Sequence, residues 1–410
     1  MLKLAGDLHI RCVPGIERDT CLYIPPDDVE DPEVSIVIPA LNEEKNIAEF
    51  VVWCKEGLDH ANIRGEILIV DSSTDLTAEL ALAGGARVLK TPKRGLGRAY
   101  IDAIPYIRGR YVLMGDADCT YDFRELALFV DAFRDGYEYI MGSRFRGYIE
   151  PDSMPVLHRY LGTPVTTWIL NVLYATRFTD IHCGMRGITR DALVRINLSS
   201  QSWEYASELV LKSVQLRLRT TEVPVRFLKD RNGRMSHHKR MGWLSPWQAA
   251  WNNLRAMFIY GADFFVLKPG LAMLWAGVLL MLAVMFGPIT IGPVTFSLYW
   301  MLMGVTLAIL GLQSFYLGCL AQVLNDLTGN ARARWTNLFR YTRSVGWSAA
   351  AMLAGFAGLV PLVQRYIHFG LSLPGPIPPE SRLAVAGLFF VIAGFMNFGF
   401  TLVLHAATKK

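Results

Sequence analysis

Charge is scarce in this chain, and the shortage is uneven. Only 19% of its 410 residues are charged, against 52% hydrophobic, too few for an ordinary soluble protein of this size. The deficit falls after Leu267. There, four apolar stretches (about 269–288, 295–323, 345–364 and 383–406) carry no Lys, Arg, Asp or Glu near their centres. Each is long enough to cross roughly 30 Å of hydrocarbon at about 1.5 Å per residue. Channels, pumps and flippases bury polar or ionisable groups along their path, so these spans read as an anchor or a lipid-handling platform. Cysteine is sparse too. The six residues, Cys12, Cys21, Cys54, Cys119, Cys183 and Cys319, form no CxxC pair and no metal-finger spacing. They read as reduced thiols in a cytosolic domain. The stretch "MLKLAGDLHIRCVPGIERD" lacks the apolar core of a signal peptide, so the N-terminal half is expected to stay unexported.

What charge there is has a direction. The loop "LNDLTGNARARWTNLFRYTRS" holds Arg332, Arg334, Arg340 and Arg343 against one aspartate, and the chain ends in Lys409 and Lys410. The other two inter-span loops are nearly free of positive charge. By the positive-inside rule the Arg-rich loop and both termini face the cytoplasm, as an even number of spans requires. The net charge of +5 suits an anionic membrane surface or phosphate ligands.

Before the spans, strands and helices alternate. "VSIVIPA", "EILIVD", "ARVLK", "RYVLMGDAD" and "YEYIMGSRF" read as strands, with helical patterns between them. That order argues an α/β domain with a mostly parallel sheet. Such sheets collect ligand groups at the carboxyl ends of their strands, which places Pro39, Asn42, Glu43, Asp71, Asp116 and Asp118 on one edge. Asp is disfavoured in strands. An Asp116/Asp118 pair after Tyr111–Met114 therefore reads either as a strand-ending Asx turn or as an oxygen-ligand cation site. "KRGLGRAY" does not complete GxGxxG and follows no first strand, so a dinucleotide site is disfavoured. An anion site at a helix start and a tight solvated turn stay equal there.

Taken together, "VSIVIPALNEEKNI", "ILIVDSSTDLTAELA", "GRAYIDAI", "YVLMGDADCTY" and "IMGSRF" resemble the GT-A domain of family 2 glycosyltransferases. "TDIHCGMRGITRDAL" and "EVPVRF" resemble the polyprenyl-phosphate (dolichol-phosphate) mannose and glucose synthases within it. The likeness covers about residues 34 to 240, and the four spans resemble the multi-span anchor of some members. The second motif is one residue shorter than usual, and Thr120 stands where relatives often carry Gln as a third metal ligand. The implied organisation is an N-terminal extension (1–30), a cytoplasmic GT-A domain (31–240), a basic and aromatic linker (241–266) and an all-α four-helix membrane domain (267–410).

The resemblance implies transfer of a hexose, mannose or glucose, from a GDP- or UDP-linked sugar to a polyprenyl phosphate, with inversion. Asp71, Pro39, Asn42, Glu43 and Asp116 would line the donor pocket. Asp116 and Asp118, with Thr120, would hold Mg²⁺ or Mn²⁺, Asp118 being central to catalysis. A phosphate acceptor, whose second pKa is about 6, is largely dianionic at neutral pH and needs no strong base. It does need cations. Arg144 is the first candidate and Arg186 the second, since a guanidinium fork matches phosphate. Arg234, Lys239 and Arg240, in a basic run with Trp243, Trp247 and Trp251, suit an anionic leaflet; beside the spans, a nucleic-acid partner is disfavoured. The apolar segment near 161–175 is either an interfacial helix guiding the prenyl chain or a buried core helix. Glu204 and Glu208 read as a helix-surface pair, and His182 and Cys183 as structural. Another acceptor, a polysaccharide or glycolipid, and a non-catalytic lipid-binding role are the rival readings. The Gln-x-x-Arg-Trp string of processive synthases is absent. Self-assembly into a homo-oligomer is left open.

Overall fold

A computed structural model describes residues 11–156, 158–174, 176–230, 251, 255, 258, 261, 263–326, 328–373 and 378–409. The chain divides into two compact units, 1–257 and 258–410.

Unit 1 is built on one nine-stranded sheet. In chain order its strands are β1 (Arg11–Pro14), β2 (Cys21–Ile24), β3 (Val34–Ala40), β4 (Gly65–Asp71), β5 (Arg87–Lys90), β6 (Tyr111–Met114), β7 (Tyr139–Ile149), β8 (Arg186–Thr189) and β9 (Thr220–Phe227). Across the sheet the order is β1-β2-β5-β4-β3-β6-β8-β7-β9. The centre, β5-β4-β3-β6, is parallel, and β8 runs antiparallel between β6 and β7. Strands β3 and β4 are almost wholly buried. That is why they read as unbroken apolar runs, as strands covered on both faces do. The helices of this unit are α1 (Ile47–His60), α2 (Thr77–Ala83), α3 (Leu96–Ala103), α4 (Ala127–Arg134), α5 (Thr163–Tyr174), α6 (Arg190–Ile196) and α7 (Tyr205–Gln215). On α1 the buried residues Ile47, Phe50, Val51, Cys54 and Leu58 recur at helical spacing and form one apolar stripe.

Two sequence expectations fail at the N-terminus. The extension is not a separate piece, because β1 and β2 form a hairpin whose second strand pairs with β5 and extends the sheet. Nor are all six cysteines reduced. Cys12 and Cys21 are joined, their Cα atoms 6.6 Å apart, while Cys54, Cys119, Cys183 and Cys319 are free and buried. A nine-residue separation carries no recognisable motif; antiparallel pairing brings the two together.

Unit 2 holds α8 (Lys268–Met285), a small β10–β11 hairpin (Ile289–Ile291 and Val294–Phe296), α9 (Leu298–Leu324), α10 (Asn330–Leu338), α11 (Tyr341–His368) and α12 (Glu380–Ala407). Four segments, Phe264–Met285, α9, α11 and α12, are long and apolar enough to cross a membrane. Their pairing uses missing side chains. A Cβ on Gly277 would meet the Ala308 nitrogen at 2.3 Å, and one on Gly355 the Gly387 oxygen at 2.5 Å, so α8 meets α9 and α11 meets α12 nearly backbone to backbone. Contrary to expectation, these spans do bury polar groups. Asn397 Nδ2 donates to Ser344 O and Oγ and to Ser348 Oγ, and its Oδ1 accepts from the Tyr316 hydroxyl. All are uncharged and bonded to one another.

Candidate active site

The parallel core sets where the site lies. β3 and β4 are in register, Ala40 opposite Asp71, and Met114 of β6 pairs with Val37. Asp116 is two residues past Met114, so the loops carrying Asn42, Asp71 and Asp116 leave the sheet along one edge.

The β3–α1 and β4–α2 loops are tied together. Asn42 N donates to Ser73 Oγ (2.7 Å), Thr74 N donates to Asn42 Oδ1 (3.0 Å), and Glu43 N donates to Thr77 Oγ1 (2.9 Å). Asn42 takes a left-handed backbone, φ +57°, which Asn tolerates better than most residues. Pro39 sits half-buried in β3 and Glu43 is buried. Asp71 is fully buried. Its oxygens accept from Ser73 N (3.2 Å) and from Lys90 Nζ (2.5 Å), so they meet the chain's own donors rather than solvent. Lys90 was not foreseen; its position at the end of a short strand was the available signal.

Asp116 and Asp118 are both half-buried. Cys119 turns the chain sharply with φ +59°, an uncommon conformation for a residue with a Cβ. This folds Thr120 back: its N and Oγ1 donate to Asp118 Oδ1 at 3.0 and 2.6 Å. Thr120 therefore orients Asp118. Among the described residues no group of three or more His, Cys, Asp or Glu can hold a metal. A pair of carboxylates fits a cation completed by substrate phosphates, as Mg²⁺ sites often are. Around Asp116 lie Gly184 and the buried ring of Tyr121. Tyr100 and Tyr205 lie near enough to feel its charge, and their rings pack 4.8 Å apart. The Tyr100 hydroxyl donates to Gly115 O (3.1 Å).

The two candidate arginines differ. Arg144 is 8% exposed and its Nε and Nη2 make a bidentate pair with Asp180 (2.6 and 2.8 Å), over the Phe227 ring. Burial works to raise the Asp180 pKa, but hydrogen bonds and charge from Arg144 hold it below the usual range. Arg186 is 1% exposed. Its donors go to Cys183 O (2.8 Å), Ala206 O (2.7 Å) and Ile181 O (3.0 Å). It braces the 181–186 turn and cannot also grip a phosphate, so the phosphate role assigned from sequence is withdrawn. Cys183 is buried, and His182 is bonded within the fold. Burial, then the Asp180 charge, pushes the Cys183 thiol up to about 12, and His182 Nε2 bonds Thr166 Oγ1 at 2.8 Å.

Other expectations resolve plainly. The start of α3 is covered: a Cβ on Gly95 or Gly97 would strike Gln201 O or Ser200 O at 2.2 and 2.1 Å, and Arg98 N donates to Gln201 O. Arg94 is paired with Glu17 and Asp19 of the N-terminal hairpin, so the tight turn prevails there over an open anion site. Glu208 is not on a helix surface. It is fully buried and accepts from Ser199 and Ser200 (2.8–3.2 Å) and from Lys212. Helix α5 is not a core helix either: Leu170 and Thr167 are buried, while Trp168 is 65% exposed, with Tyr160, Leu161, Val165 and Val172 exposed beside it. Arg234, Lys239 and Arg240 lie outside the described residues.

Comparison with known proteins converges on one family. The Glycosyl transferase family 2 pattern matches residues 35–196. The low-salt glycan biosynthesis hexosyltransferase Agl6 of Haloferax volcanii is 35% identical over 375 residues, 90% of this chain and 87% of its own length. The dolichyl-phosphate hexose transferase of the same organism is 28% identical over 201 residues, 49% of this chain and 85% of its own. Among solved structures, mannosyl-3-phosphoglycerate synthase from Rubrobacter xylanophilus superposes with a TM-score of 0.43 at 21% identity, over 55% of this chain and 72% of that one. With a mostly parallel GT-A-type sheet, four C-terminal helices of membrane-spanning length and a near full-length match to a hexosyltransferase, the chain belongs to glycosyl transferase family 2.

Proposed function

We propose that this glycosyltransferase moves a hexose from a GDP- or UDP-linked sugar to a polyprenyl phosphate at the cytoplasmic membrane face, with Mg²⁺ or Mn²⁺ held by Asp116 and Asp118. One coincidence carries the reading: a carboxylate pair at the carboxyl edge of the sheet shares a chain with four helices of membrane-spanning length. The donor is water-soluble and the acceptor is not, and such a chain serves both.

Each group then has a task. The tied loops carrying Pro39, Asn42, Glu43 and Asp71 shape the nucleotide pocket. Asp118, oriented by Thr120, and Asp116 receive the cation that offsets charge developing on the leaving diphosphate. Arg144 has Nε and Nη2 committed to Asp180 and keeps Nη1 for the acceptor phosphate. That phosphate attacks as the dianion and needs no strong base. The exposed apolar side of α5, with Trp168 and Tyr160, provides a path for the prenyl chain. Arg334, Arg340 and Arg343 are exposed on and after α10 and orient the spans with that loop in the cytoplasm. Arg234, Lys239 and Arg240 are assigned to the same leaflet on sequence alone.

The test is transfer itself. Purified protein in detergent is incubated with polyprenyl phosphate, Mn²⁺ and radiolabelled UDP- and GDP-hexoses in turn, and the lipid is extracted and counted. Label in the lipid, lost with EDTA, is the expected result and names the sugar. Label that enters a polysaccharide or glycolipid acceptor, and never the polyprenyl phosphate, would overturn the acceptor assignment.

A further inference from the structure

Arg144 sits where a sheet ladder is interrupted. β7 and β9 run parallel in register as far as Ser143 opposite Pro224, then shift and resume at Tyr148 opposite Arg226. Pro224 has no N–H to give the ladder, and such irregularities re-aim the side chains within them. Arg144 N donates instead to Asp180 Oδ2 at 3.1 Å, beside the guanidinium pair. The turn that presents Asp180 is itself held, by Glu222 of β9. Glu222 Oε1 accepts from Thr179 N (2.6 Å) and Asp180 N (3.3 Å), and its Oε2 accepts from Thr179 Oγ1 (2.9 Å). The Glu222 side chain is 6% exposed, and these bonds offset the cost of taking its carboxylate out of water. Thr179 Oγ1 also lies 2.6 Å from the hydroxyl of Ser143, the residue before Arg144. Two aromatic rings link this cluster to the carboxylate edge. Arg144 lies over the Phe227 ring at 5.3 Å, and Phe227 packs on Tyr121 with centroids 5.2 Å apart. A Cβ on Gly184 would touch both Tyr121 Cε2 (2.9 Å) and Asp116 Oδ2 (2.5 Å).

We propose that Glu222 is a positioning residue for Arg144: by gripping the Thr179 and Asp180 peptides it fixes the Asp180 carboxylate, and through it the direction in which the guanidinium meets the acceptor phosphate. The inference rests on the reading of Arg144 as the acceptor-phosphate group. It gives a reason for two buried carboxylates on one short turn, where each repels the other: Asp180 orients the arginine, and Glu222 orients Asp180. A bidentate pair fixes the plane of a guanidinium only as firmly as its carboxylate is held. Orientation at a reacting group matters, since a misplacement of about 1 Å costs about 100-fold in rate.

The experiment uses the full chain in detergent, with polyprenyl phosphate, Mn²⁺ and radiolabelled UDP- and GDP-hexoses in turn. Transfer is measured over a polyprenyl phosphate series and over a donor series, and thermal melting is recorded in parallel. In Glu222→Ala the KM for polyprenyl phosphate should rise about tenfold, with the KM for the donor unmoved. Glu222→Gln keeps an oxygen for the two peptide N–H groups and should recover most of that loss. In an Arg144→Ala background, adding Glu222→Ala should raise the acceptor KM no further, because the group it positions is gone. An acceptor KM unchanged in Glu222→Ala, a donor KM that rises equally, or full additivity with Arg144→Ala overturns the proposal. Should Glu222→Ala melt too early to assay, Glu222→Asp takes its place. Its carboxylate keeps the charge but falls one methylene short, so the acceptor KM should rise about threefold; an unchanged value overturns the proposal as well. If the wild type labels no lipid, or Arg144→Ala leaves the acceptor KM unchanged, the acceptor reading falls and takes the proposal with it. If Arg144→Ala raises that KM and Glu222→Ala does not, the reading stands and the proposal alone falls.

Discussion

The two ends of the sheet use the same kinds of residue to opposite effect. At the amino ends of the central strands, Glu66 is buried at 3% exposure and fully engaged. It accepts from Ser35 Oγ (2.6 Å), Arg87 Nη1 (2.7 Å) and Arg108 N and Nε (2.9 and 2.7 Å). Arg108 passes on to Asp28 in the segment before β3. At the carboxyl ends, Asp116 and Asp118 are half-buried, and the bonds seen for Asp118 come from the adjacent Thr120. A carboxylate wrapped by two guanidinium groups holds a fold together. Asp118 is aimed by a hydroxyl and a peptide two residues on, at the edge where the loops leave the sheet. Residue type does not separate the two sets of acids; place on the sheet and degree of burial do.

The contrast breaks most sharply under paired substitution. Asp118→Ala should cut transfer at least about 100-fold with an unchanged melting curve, as the lipid-label assay and calorimetry would show. Glu66→Gln should do the reverse: a loss of about 3 kcal/mol, because two guanidinium groups lose a buried partner, with near-normal turnover per folded molecule. If Glu66→Gln proved as inactive as Asp118→Ala at equal stability, the distinction between the two ends would collapse.

Acid sharpens it further. Burial works to raise the Glu66 pKa, but bonds from Ser35, Arg108 and Arg87 win and hold it below the ordinary value. Its contribution to stability is therefore complete above the unfolded pKa of about 4.3 and is lost as pH falls through the lower folded value. The gap in melting temperature between wild type and Glu66→Gln should narrow in that acid range. A constant gap down to pH 2 would refute the assignment.

A smaller effect is expected at α5. Trp168→Ser should raise the KM for polyprenyl phosphate about fivefold while nucleotide binding stays the same. Smallest of all is the hairpin's clasp on Arg94. Glu17→Gln should barely move the melting temperature, since exposed ion pairs contribute little; a large drop would mean that the clasp organises the site.

The parallel core and the spans were legible because both are announced by local pattern: unbroken apolar strands between helices, and membrane-length runs bounded by arginine. The edge carrying Asp71, Asp116 and Asp118 followed from topology. What sequence could not give was occupancy. Arg144 and Arg186 look alike in a string, yet one meets a carboxylate 36 residues away and the other braces carbonyls. Thr120 read as a ligand, and nothing in the string showed that a left-handed turn at Cys119 would aim its hydroxyl at Asp118. Glu208 read as exposed because helical spacing does not reveal that the 199–200 backbone folds over it. The Cys12–Cys21 bond and the partnership of β2 with β5 were hidden for the same reason: they join segments that share no motif.

That partnership bears on how the protein can be handled. β5 is short, and with β2 removed one side would present unpaired N–H and C=O groups, the template on which sheets join edge to edge. A truncation beginning at residue 31, the boundary that motif matching invites, would strip this guard strand and set Arg94 free of Glu17 and Asp19. Such a fragment would keep every residue assigned to donor and metal and still be expected to clump, its insolubility easily mistaken for a need for lipid.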